Sequence, residues 1–125
     1  MGAGRVLVVD DDPAIRDILM TALAAEGHQV RTAADGLDAL GVLRGWRPDV
    51  ILLDLMMPVM DGWTFRAEQL GRAEAADIPV VVLSAAYEAA RQAAMLGAVT
   101  YIPKPFDLDR LWEAVSPFTA RLSEV

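Results

Sequence analysis

Short apolar runs alternate along this chain with segments in which apolar residues return at every third or fourth position. The runs are Arg5–Asp10, Gln29–Ala33, Asp49–Asp54, Pro79–Ser84 and Val99–Ile102. Three of them, built on Val6-Leu7-Val8-Val9, Val50-Ile51-Leu52-Leu53 and Val80-Val81-Val82-Leu83, are apolar without a break. A strand covered by helices on both faces has that composition, whereas one wet face would impose alternation. The other two are shorter or mixed, as edge strands are.

The intervening segments read as helices with recognisable ends. The first has Asp12 as N-cap and Pro13 at the first helical position, with Ile15, Ile18, Leu19, Ala22 and Leu23 on one face. It closes near Glu26-Gly27, where glycine accepts a left-handed cap. The second starts at Asp35, turns Leu37, Leu40 and Leu43 inward, and stops before Pro48. A third follows Asp61-Gly62 and contains Trp63, Phe65, Arg66 and Leu70. The fourth, alanine-rich, spans about Glu88–Leu96 and closes at Gly97. The last begins at Asp107 and places Leu108, Leu111, Trp112 and Val115 on one stripe, with Pro117 expected to kink or end it.

Strand–helix alternation of this kind predicts an α/β fold. The expected architecture is a doubly wound, five-stranded parallel sheet in the flavodoxin-like order 2-1-3-4-5 with helices on both faces. The whole of 1–125 reads as one domain with its core at about 5–116; no repeat, low-complexity stretch or linker interrupts it.

Composition narrows the function. No apolar run approaches the roughly 18 residues of a membrane span, and the start of the chain lacks a signal-peptide layout. Cysteine is absent, which removes disulfides and thiol nucleophiles and makes a cytoplasmic address the expectation. With 18 acidic and 11 basic residues the formal net charge is −7, which disfavours nucleic acid as a direct ligand.

What stands at the strand ends is more specific. In open α/β sheets the ligand crevice lies beyond the carboxyl ends of the strands, at the point where the strand order reverses. The first strand ends in Asp10-Asp11-Asp12, the third in Asp54, the fourth in Ser84, and the fifth runs into Lys104-Pro105. Converging carboxylates repel unless a cation neutralises them. Hard oxygen donors without His or Cys suit Mg2+. A hydroxyl and an ammonium beside them would hold a phosphoryl group by positioning and electrostatics. Taken singly, each of these residues has an ordinary reading, since Asp12 and Asp35 are natural helix caps.

The chain resembles the response-regulator receiver family, of the chemotaxis-regulator kind, from about Arg5 to Leu111. The matching segments are Val-Leu-Val-Val-Asp-Asp-Asp (6–12), Asp-Leu-Met-Met-Pro-Val-Met-Asp-Gly (54–62), Val-Leu-Ser-Ala (82–85) and Tyr-Ile-Pro-Lys-Pro-Phe (101–106). The resemblance implies that Asp54 takes a phosphoryl group from a phosphohistidine. The donor would be a sensor histidine kinase or a histidine phosphotransfer protein. It implies Mg2+ (with Mn2+ as an expected substitute) bound by Asp11, Asp54 and the Met56 backbone carbonyl, Asp10 acting mainly through water and Lys104. Lys104 would pair with a phosphoryl oxygen, across a cis Lys104-Pro105 bond. Ser84 would donate to the phosphoryl oxygen, and Tyr101 would turn inward as Ser84 moves.

The responding surface would be the fourth helix, fifth strand and fifth helix, with Ala90, Arg91, Ala94, Met95, Tyr101 and Arg110 as candidate contacts for a downstream protein. A phosphorylation-dependent dimer stays open. Met56 and Ala86 offer no polar group to an attacking water, so slow self-dephosphorylation is expected. On this reading the chain is a signalling phosphoacceptor that catalyses nothing beyond its own phosphorylation and that slow hydrolysis.

His28, the one histidine, reads as a surface turn residue, Trp46 and Trp63 as packing residues near loops, and Pro103 as a loop stiffener. A competing class is a haloacid-dehalogenase-type phosphatase, with Asp10 as nucleophile and Asp12 as general acid. Pro13-Ala14 breaks the usual continuation of that motif, and Asp54 would have no role in it. No DNA-binding or enzymatic effector is read after the receiver pattern, which suits either a stand-alone regulator or a receiver from a longer protein.

Overall fold

The computed structural model describes residues 4–119, apart from the side chain of Ala86. Strands and helices alternate: β1 (Arg5–Val9), α1 (Pro13–Ala25), β2 (Gln29–Ala33), α2 (Gly36–Leu43), β3 (Val50–Asp54), α3 (Gly62–Leu70), β4 (Val80–Ala85), α4 (Ala86–Leu96), β5 (Thr100–Lys104) and α5 (Leu108–Thr119). All the strand pairs are parallel, in the order β2-β1-β3-β4-β5. The order reverses between β1 and β3, so the crevice opens at their carboxyl ends.

Successive strand residues point to opposite faces, and here both faces are apolar. Leu7, Val9, Ile51, Leu53, Val80 and Val82 join Leu40, Phe65 and Leu96 in one buried cluster beneath α2, α3 and α4. Val6, Val8, Val50, Leu52, Val81 and Leu83 join Leu19, Leu23, Leu111 and Val115 in the other, beneath α1 and α5. That is why β1, β3 and β4 lack polar alternation.

Helix starts follow their caps. The carboxylates of Asp12, Asp35 and Asp61 accept the backbone N–H groups of Ala14, Asp38 and Thr64. Gly97 closes α4 in the left-handed region, at φ 68°.

Several expectations are corrected. β5 does not stop at Ile102 but continues through Pro103 to Lys104. It is an edge strand, where a missing N–H is tolerated. α4 begins at Ala86, directly after β4. Pro117 does not end α5, which runs on to Thr119, so the ring removes one intrahelical donor. Ile18, Leu37 and Leu108 are 53, 56 and 47 % exposed rather than turned inward. In α2 the buried positions are Gly36, Ala39, Leu40 and Leu43, a spacing that leaves Leu37 off the inner face. Trp112 is half-buried against the α1–α5 cluster rather than fully enclosed.

Candidate functional site

Asp10 follows β1 immediately, and its N–H still donates to the Ala33 carbonyl at 3.1 Å, so the sheet holds its backbone. Asp54 is the last residue of the adjacent β3. Asp10 is fully buried, Asp54 is 6 % exposed, and Asp11 faces solvent. One carboxylate oxygen from each lies within 4.8 Å of the others. From β5, Lys104 brings its Nζ to 2.8 Å from Asp10 Oδ2 and 3.6 Å from Asp54 Oδ1. The Lys104-Pro105 bond is cis. The expected convergence of Asp10, Asp11, Asp54 and Lys104 is therefore present.

Burial pushes the Asp54 carboxyl up from 3.8 to about 6, helped by the charge of Asp10 and opposed by that of Lys104. Burial works against the Lys104 ammonium too, but its hydrogen bond to Asp10 and the charge of Asp54 outweigh that and raise it. The Met56 N–H donates to Asp54 Oδ1 at a long 3.4 Å. Asp10 is more firmly held: its Oδ1 accepts the Asp12 N–H at 2.9 Å and its carbonyl accepts from the Arg16 guanidinium at 2.7 Å.

The loop after β3 is tied down by close approach. A Cβ on Gly62 would stand 2.5 Å from the Asp54 carbonyl oxygen and 2.8 Å from Leu55 Cα. Gly62 N–H donates to the Leu55 carbonyl, and Gly36 N–H to that of Met60. Val59 sits in this loop at φ 66°, a costly conformation for a β-branched residue. A pocket bounded by Asp11, Met56, Pro58, Asp61 and Trp63 opens beside the carboxylates. Met56 itself is 77 % exposed.

Three carboxylates against one ammonium leave two negative charges when all are ionised. The donors are hard oxygens with no nitrogen or sulfur among them, so the set fits a divalent cation such as Mg2+ that keeps several waters. Asp12, the general acid of the phosphatase reading, is instead exposed and occupied as the α1 cap.

Ser84 and Tyr101 make their contacts with α4 and α5. The Ser84 hydroxyl donates to Gln92 Oε1 on α4. Tyr101 is half-buried against the α2–α4 cluster, and the Arg110 guanidinium lies 5.4 Å from its ring centroid. Arg110 also donates to the Tyr101 carbonyl and, at 3.0 Å, to Thr100 Oγ1. Ala90, Arg91, Ala94 and Met95 are exposed on α4, and Met95 is 66 % so.

Sequence reasoning missed several polar groups. His28 is half-buried, its Nδ1 accepting the Gly4 N–H at 3.1 Å, so it tethers the start of β1 rather than lying free in a turn. Buried Arg66 donates to the carbonyls of Leu96 and Gly97 at 3.0 and 3.1 Å and to Gln69 at 2.9 Å. Gln69 donates in turn to the carbonyls of Ala75 and Ile78. The available signal was the i, i+3 spacing of Arg66 and Gln69 beside Phe65, which puts them on the inner side of α3. Gln92 had no sequence signal.

An open α/β sheet with an acidic crevice at its switch point defines the class. The chain belongs to the response regulator receiver domain family, whose pattern matches residues 6–116. It is 40% identical over 121 residues to response regulator MprA of Mycobacterium sp. (strain KMS), a match covering 95% of this chain and 52% of that protein. With MprA of Mycobacterium avium (strain 104) the identity is 43% over 109 residues, covering 86% and 47%. The chain thus spans about half the length of the curated relatives it matches. Among solved structures, Vibrio cholerae chemotaxis response regulator CheY4 superposes with a TM-score of 0.83 at 31% identity, covering 93% of this chain and 98% of that one. The receiver domain of sensor histidine kinase PA1611 from Pseudomonas aeruginosa, described with a magnesium ion in its active-site cleft, gives 0.85 at 27% identity, covering 94% and 98%.

Proposed function

We propose that this chain accepts a phosphoryl group on Asp54 from the phosphohistidine of a sensor histidine kinase or a histidine phosphotransfer protein. The observation behind this reading is a buried carboxylate at the switch point, with two more carboxylates beside it and one ammonium reaching both buried ones. An Asp54 oxygen bonds to phosphorus, the phosphorus–nitrogen bond breaks, and the departing imidazole keeps the electron pair. Asp11, Asp54 and the Met56 carbonyl would hold Mg2+ or Mn2+, with Asp10 acting mainly through water, and the bound ion would supply neutralising charge for the phosphoryl oxygens. Lys104 pairs with a phosphoryl oxygen, Ser84 donates to another after transfer, and Tyr101 turns inward. The α4–β5–α5 face then presents a changed surface to a downstream protein or a second copy of the chain.

On this reading 1–125 is a single receiver domain that works in the cytoplasm, away from membranes and without direct contact to nucleic acid. Among the described residues no helix is long and apolar enough to cross a membrane. The magnesium described for the PA1611 receiver supports the choice of cation.

The test is incubation with acetyl phosphate and Mg2+, read by intact mass. One phosphoryl group should be gained as acetate leaves. Asp54→Asn should abolish the gain and Asp10→Asn weaken it. A label that persists in Asp54→Asn overturns the assignment.

A further inference from the structure

A serine hydroxyl has one proton to give. In this structure Ser84 gives it to Gln92 Oε1, eight residues further on and one turn short of the end of α4. The bond links the end of β4 to the helix that follows it. It matters more than most because α4 starts without help: its N-cap is Ala85, which makes no side-chain capping bond. The other end of α4 is pinned separately, since Arg66 donates to the carbonyls of Leu96 and Gly97. Gln92 is half-buried and lies on the same helix face as buried Ala89 and Leu96, so its amide is directed at the sheet.

We propose that Gln92 is a positioning residue, a latch that keeps the Ser84 hydroxyl proton engaged on α4 until a phosphoryl oxygen takes it over. This rests on Asp54 being the phosphoacceptor. The hydroxyl cannot serve Gln92 and a phosphoryl oxygen at once. Capture of Ser84 therefore frees Gln92 and loosens α4 from the end of β4, while Arg66 keeps the Leu96–Gly97 end in place. The helix can then turn about its pinned end, and the exposed face with Arg91 and Met95 turns with it. The latch favours the unphosphorylated conformer, so its removal shifts the population towards the other.

The test uses beryllium fluoride with Mg2+, which builds a tetrahedral phosphoryl mimic on a carboxylate, followed by tryptophan fluorescence, since Trp63 borders the pocket beside Asp11. Gln92→Ala should bind beryllium fluoride more tightly by about threefold to tenfold, the worth of one net hydrogen bond. Affinity for Mg2+ alone should not change, because Gln92 bonds the Ser84 hydroxyl and none of the three carboxylates. Gln92→Leu keeps the packing but loses the acceptor and should show the same gain, which separates loss of the acceptor from loss of packing. In a Ser84→Ala background Gln92→Ala should have no further effect. Unchanged or weaker binding in Gln92→Ala, or a gain that persists without the Ser84 hydroxyl, overturns the latch. If Asp54→Asn binds beryllium fluoride as well as the unaltered chain does, the phosphoacceptor reading itself fails and takes the latch with it.

Discussion

The two corners of the crevice are built differently. Where β1 meets β3, the acidic residues are placed by backbone: Asp10 directly follows β1 and Asp54 ends the neighbouring β3, and the loop behind Asp54 is clamped by the close approach of Gly62. Where β4, α4 and β5 meet, placement depends on side chains. Ser84 is held by one amide, the Tyr101 ring lies beside a guanidinium, and α4 lacks a side-chain cap. Chemistry that depends on positioning needs groups fixed to within about half an ångström. A response needs an element whose rearrangement costs little. One sheet serves both because its central strands are buried on both faces while β5 lies at its edge.

The sharpest way to break the contrast is Gly62→Ala. The new Cβ would meet backbone, which cannot rotate away, so we expect a loss of about 2–3 kcal/mol and a fall of roughly 10 °C in thermal midpoint. Mg2+ binding should weaken with it. An unchanged midpoint would show that the β1–β3 corner is not clamped in this way.

The charge of that corner gives the next effect. In the metal-free fold Asp54 titrates at about 6 instead of 3.8. It therefore holds its proton more tightly folded than unfolded. Its contribution to stability is fully present below the unfolded value and is lost as pH rises towards about 6, after which it stays level. Denaturant midpoints of the metal-free chain should fall over that window. Mg2+ competes with the same proton, so its affinity should climb to about pH 6 and then flatten. Asp10→Asn removes the like charge and should move the Asp54 titration, followed by carboxyl-carbon NMR, downwards.

Met56→Asn combined with Ala86→Glu should speed loss of the phosphoryl group about tenfold, by giving an attacking water polar partners. The side chain at 86 lies outside the described positions, while Met56 is open to solvent. A phosphoprotein half-life that does not change removes the account of slow hydrolysis. Arg110→Ala should have the smallest effect, about 1 kcal/mol, from its bonds to Thr100 and Tyr101 and its contact with the ring. Amide exchange should rise in β5 and leave β1 and β3 alone.

The same division describes what could be read in the sequence. Buried central strands announce themselves as unbroken apolar runs, and acidic residues at their ends mark the crevice, so β1, β3, β4 and the carboxylates were legible. Capping aspartates located three helix starts for the same local reason. Pro103, read as a loop stiffener, lies within a strand because an edge position tolerates its missing N–H. Apolar spacing alone overcounted the inner faces at Ile18, Leu37 and Leu108, because the width of a buried stripe depends on what packs on it. Gln92, Arg66 and His28 were missed because a polar residue with one buried partner looks the same in sequence as one facing water.

Amide hydrogen exchange, compared with and without Mg2+ and beryllium fluoride, tests the contrast most directly. We predict that β1 and β3 keep their protection in both states, while α4 before its pinned end and β5 change theirs. Changes spread evenly over the sheet, or confined to β1 and α1, would contradict it.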